Sequence, residues 1–115
     1  MAIPHALPGQ PVDLRPTADA PSEARTIALA KNEAFEAIRL MIPGGHEVAR
    51  HQVAGMITFQ CLEGRIAFTA RGDTRELRAG HWLFLESNEP HSLVGLEDST
   101  ALLTIVFPAN TPRPG

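Results

Sequence analysis

The chain has a single cysteine and no tyrosine among its 115 residues. One cysteine rules out an internal disulfide, so the fold needs no oxidising compartment. Positive charge is not in excess either. The net charge is -3 and the pI about 5.9, which leaves no basic footprint for nucleic acid and no polybasic membrane anchor. No run approaches the roughly 18 continuous apolar residues of a membrane span. The opening "MAIPHALPGQPV" has neither a basic n-region nor an apolar h-region, so no signal peptide is expected. Together these absences predict a cytoplasmic protein with no nucleic-acid or membrane partner.

What is present suits one globular domain. The 43% hydrophobic and 20% charged content is ordinary for a soluble core of this length. Pro4, Pro8, Pro11 and Pro16 predict an extended arm over residues 1–20, with "PVDLRP" as a short edge strand. Residues 21–108 carry the barrel, and the Pro-rich residues 109–115 are expected to fray.

Helical periodicity is nearly missing, and period two dominates. Two strands joined at Asn32–Glu33 come first, ended by "PGG" at Pro43–Gly45. Short strands then follow over 50–53, 56–62, 65–70, 74–78, 82–85, 91–95 and 100–107. "TARGDTREL" reads as a hairpin with Gly72–Asp73 as its two-residue turn. Many short strands with Gly, Pro, Asn or Asp at each break predict an all-β sandwich or barrel.

Two segments carry spacings of a known kind. "GHEVARHQVAGMITFQCLEG" resembles the first cupin motif: Gly45 is the opening glycine, His51 the first histidine and Gly64 the closing glycine. Val53 stands where that motif has its second histidine, and Ile57 where it has a glutamate. "GHWLFLESNEPHSLVG" resembles the second motif through Gly80 and His91, while Glu86, Asn88 and Gly95 replace its proline, glycine and asparagine. The 15 residues between Gly64 and Gly80 suit a minimal cupin. The resemblance implies a single-domain double-stranded β-helix, or jelly-roll barrel, that forms a homodimer and has a pocket inside.

It also implies where a site lies. In metal-binding cupins the motifs supply three histidines and a glutamate; here His51 and His91 remain. They are the candidate ligands for one divalent metal (zinc, iron, nickel or manganese), or a candidate general base. Glu47 shares parity with His51 but lies too far along an extended strand to share an ion. Glu86 and Glu89 read as solvated loop carboxylates, and His46 and His81 fall off the ligand positions. Strand parity makes Val53, Ile57 and Phe59 an apolar wall, with Met56 at its rim and Cys61 on the same interior face. Trp82 and Phe84 either extend that wall or pack against a partner subunit.

The missing tyrosine excludes the histidine–tyrosine pair of the sugar epimerases that share this fold. Two function classes remain. One is a binding module whose apolar pocket holds a small organic ligand oriented by His51 and His91. The other is an enzyme of dioxygenase or isomerase type, metal-dependent or histidine-catalysed.

Overall fold

The computed structural model describes residues 6–15 and 26–108. Among the described residues there are nine strands and no helix: β1 (Ile27–Lys31), β2 (Phe35–Ile42), β3 (Glu47–His51), β4 (Met56–Glu63), β5 (Arg65–Ala70), β6 (Asp73–Arg78), β7 (Trp82–Leu85), β8 (His91–Gly95) and β9 (Ser99–Val106). They form two antiparallel sheets, a five-stranded one ordered β1-β2-β9-β4-β7 and a four-stranded one ordered β3-β8-β5-β6. The all-β jelly-roll expectation holds.

Alternation in the sequence fixes which side of each strand faces inward. Along β4, Ile57, Phe59 and Cys61 are buried while Met56 and Glu63 at its ends are exposed. Along β5, Ile66 and Phe68 are buried, and along β8, His91, Leu93 and Gly95. The two inner faces meet across the Phe59–Phe68 pair, whose ring centroids are 4.9 Å apart. Each of these phenylalanines is at most 2% exposed, and burying one such side chain stabilises the fold by about 1.5–3 kcal/mol.

Three local expectations shift. The first strand after "PGG" runs over Glu47–His51 rather than 50–53, because Glu47 and Val48 pair with Val94 and Leu93 of β8. The β5–β6 turn is Arg71–Gly72 rather than Gly72–Asp73. Arg71 and Gly72 both have positive φ, 55° and 82°, as a two-residue I′ turn requires, and Asp73 is already paired with Ala70. Finally, residues 11–15 form no strand. Proline lacks the N–H that a ladder needs, and Asp13 instead accepts the Arg15 backbone N–H at 3.0 Å. Residues 1–5 and 16–20 of the arm and the whole 109–115 tail lie outside the described residues.

Candidate functional site

The two histidines of the motif pair come together. His51 and His91 face each other across β3 and β8 as register partners, which places both side chains on one face of the sheet. Their ring centroids are 4.3 Å apart with 58° between the planes. His91 is 5% exposed, whereas His51 is exposed at the rim.

Each ring is held by its own backbone neighbourhood. Nδ1 of His51 lies 3.1 Å from the Ala49 carbonyl oxygen, and Nδ1 of His91 lies 3.1 Å from that of Glu89. A carbonyl oxygen only accepts, so in both rings Nδ1–H donates and a neutral ring carries its lone pair on Nε2. Burial pushes the His91 pKa down; the Glu89 carbonyl opposes that shift and the neighbouring His51 adds to it. His91 is therefore a neutral imidazole at pH 7.

The β7–β8 loop positions His91. Asn88 N–H donates to the Val53 carbonyl at 2.9 Å, and Gly55 N–H donates to Ser87 Oγ at 2.8 Å. Glu89 was expected to be a solvated loop carboxylate; its side chain is 17% exposed. It accepts the Glu86 backbone N–H at 2.7 Å and pairs with Arg71 at 2.9 Å. Those two partners remove it from solvent.

The other predicted site residues divide by strand parity. Ile57, Phe59 and Cys61 lie in the packed core, and Val53 is half-buried against it. They close the interior rather than line an open pocket. Met56, Trp82 and Phe84 are 37%, 56% and 49% exposed. Thr58 pairs with Phe84 and Gln60 with Trp82, so all three share the face opposite Ile57 and Phe59. Trp82 is thus no part of an interior wall, whereas Phe84, half exposed on the same strand side, also lines the recess described next.

At the same end of the barrel a recess of about 260 Å³ opens under the β5–β6 hairpin. Phe68, Leu83 and Leu85 make its apolar surface, and Asp73 and Arg75 stand at its edge. Phe68 connects it to the histidines, since its ring lies parallel to His91 with 5.7 Å between centroids. None of these five residues was singled out from the sequence. The available signal was parity: Asp73, Arg75 and Leu77 alternate on one side of β6, and Leu77 is buried.

The donor set does not fit the metal that the fold family often carries. Among the described residues no three His, Cys, Asp or Glu side chains converge on a possible ion. Cys61 is fully buried, its thiol donating weakly to the Glu63 carbonyl at 3.4 Å. Burial also pushes its pKa up, so it is no thiolate at neutral pH. Glu47 is exposed opposite Val94, and Glu89 is committed to Arg71 and the Glu86 N–H. Two imidazoles are fewer than the three protein ligands of catalytic zinc or the two-histidine, one-carboxylate set of non-haem iron.

Known proteins agree with the architecture. The cupin domain family matches residues 38–112. Among solved structures, a conserved protein of unknown function from Streptococcus pyogenes superposes with a TM-score of 0.72 at 19% identity, covering 94% of this chain and 96% of that one. An RmlC-like cupin from Shewanella frigidimarina gives 0.69 at 19% identity, covering 74% and 77%. KdgF from a Halomonas species gives 0.65 at 19% identity, covering 74% and 80%. No curated protein matches the chain. With two glycine-bounded motifs, a two-sheet barrel and a family match over most of the described strands, this chain belongs to the cupin family.

Proposed function

We propose that this cupin binds a small organic molecule at the mouth of its barrel, between the His51–His91 pair and the recess under the β5–β6 hairpin. One observation carries the reading. Phe68 belongs to both features, as a wall of the recess and as the ring stacked on His91. Apolar surface with a few convergent polar groups is what small-molecule sites are made of. Nε2 of each histidine is left to hydrogen-bond a ligand.

A histidine-catalysed reaction is the second reading. The observation favouring it is the buried, neutral His91 beside an exposed histidine, since a neutral imidazole accepts a proton at Nε2.

The test compares untagged protein with a His51→Ala, His91→Ala double variant, by metal content and by thermal shift against small organic compounds. The expected result is metal far below one per chain in both proteins, with ligand stabilisation that weakens in the variant. Near-stoichiometric metal that disappears in the variant would instead establish a metal enzyme.

We further propose that two copies associate through the outer face of the five-stranded sheet. Met56, Trp82, Phe84 and Val106 are all exposed large apolar side chains on the adjacent strands β9, β4 and β7. Trp82 and Phe84 form a ring pair 5.9 Å apart. One patch meeting its own copy about a twofold axis is the simplest way to bury such a face.

A further inference from the structure

We infer that the recess under the β5–β6 hairpin selects a compact monocarboxylic acid, with Arg75 holding the carboxylate while Phe68, Leu83 and Leu85 take the apolar body. This inference rests on the small-molecule reading above and names the ligand's class.

Arg75 is an exposed charge on a strand side that turns inward two residues later. It sits directly opposite Phe68 in the β5–β6 register, on the strand side that Leu77 uses to enter the core. A charged residue at an inward position is costly unless solvent or a counter-ion reaches it. Here the recess provides the opening, and the Arg75 side chain is 72% exposed there.

Its neighbours leave it free to bind. Arg65, Arg71 and Arg78 each hold a carboxylate at 3.2, 2.9 and 2.8 Å respectively. Among the described residues Arg75 approaches only the Asp73 carboxylate, at 3.6 Å, beyond the usual N–H···O limit of about 3.2 Å. Its planar fork therefore keeps donors for a bidentate partner, the geometry that suits a carboxylate.

Charge and size narrow the ligand. Asp73 and Arg75 balance each other at the edge, and Arg71 is paired with Glu89, so a dianion meets repulsion from Asp73 without a second free cation among the described residues that line the recess. A monoanion suits the site better. The recess of about 260 Å³ falls below the roughly 300–1,000 Å³ of pockets for drug-sized ligands. One ring or a short branched chain is the body it accommodates.

The test titrates benzoate, benzamide and phenyl phosphate by calorimetry into wild type, Arg75→Gln and Asp73→Asn, with circular dichroism as the folding control. Benzoate is expected to bind wild type about tenfold or more tighter than benzamide, since only the charged ligand engages the guanidinium fork. That ratio falls to about one in Arg75→Gln, which keeps its fold because the side chain is exposed. Asp73→Asn binds benzoate more tightly, having lost the competing carboxylate. Benzamide binding as well as benzoate, or a ratio that survives Arg75→Gln, overturns the carboxylate assignment and leaves the small-molecule reading standing. Phenyl phosphate binding more tightly than benzoate overturns it in favour of a phosphate ester. Heat from none of the three probes overturns the assignment, while the small-molecule reading is decided separately by the thermal-shift comparison of wild type with the double histidine variant.

Discussion

The His91 ring lies parallel to that of Phe68, with 4° between the planes. The stack sets the character of this histidine. One side of the imidazole is bordered by an offset parallel ring that is itself 2% exposed, its Nδ1–H is spent on the Glu89 carbonyl, and His51 faces it across the sheet. Protonating His91 therefore places a cation against an aromatic core with only the outer edge of the ring for relief.

A pH dependence follows from that environment. Burial holds the His91 pKa below the ordinary histidine value of 6.5, so in the window just beneath 6.5 the unfolded chain binds more protons than the folded one. Stability then rises with pH through that window, and the contribution is lost as pH falls towards the folded pKa. Urea midpoints measured from pH 7.5 down to pH 5 should fall for the wild type and fall less for His91→Asn. Asparagine keeps a donor for the Glu89 carbonyl but has nothing to titrate. Equal pH slopes in the two proteins would remove His91 as the cause.

Two glycines with the same backbone conformation separate strain from collision. Gly64 and Gly72 have φ of 85° and 82°, a region that costs an L-residue about 1–2 kcal/mol. A Cβ at Gly72 meets nothing within 4 Å, whereas at Gly64 it runs into the Asp98 carbonyl oxygen and Ser99 Oγ. Gly72→Ala is therefore expected to cost only the backbone term, about 1–2 kcal/mol. Gly64→Ala should cost clearly more, because Ser99 also accepts the Arg65 N–H that starts β5. Chemical denaturation of both variants reads the difference. Equal losses would mean the β4–β5 connection yields freely.

Much of this is legible in the sequence alone, and the reasons differ by element. β4 and β5 announced themselves because large apolar residues recur at every second position, with Thr58 and Gln60 between them in β4 and Arg65 and Thr69 flanking them in β5. The His51–His91 pairing was legible from motif spacing, as two segments of one barrel. β7 was not. In "WLFL" both faces are apolar, so alternation cannot say whether Trp82 and Phe84 or Leu83 and Leu85 turn inward; only the register with β4 decides it. β6 is ambiguous in another way, since Asp73 and Arg75 are exposed yet share their strand side with the buried Leu77. The recess depends on where the hairpin ends relative to β7, a relation between distant strands that neither strand carries alone.

The outer face of the five-stranded sheet supplies the last prediction. If a second copy covers it, the wild type scatters light as a dimer at working concentration. A Trp82→Glu, Phe84→Glu variant should scatter as a monomer. Each wild-type side chain is about half exposed, at 56% and 49%, so the substitutions remove little buried area within one chain. Surface changes of that kind usually move stability by no more than about 0.5 kcal/mol, and the circular dichroism spectrum should stay that of the wild type. Like charges brought together on the two copies then oppose association directly, because the twofold relation sets each patch against itself. Added salt should restore part of the dimer by screening that repulsion over about 10 Å at 0.1 M. A wild type that is already monomeric, or a variant that stays dimeric, would place the contact elsewhere or nowhere. Trp82 and Phe84 would then be apolar surface without a partner.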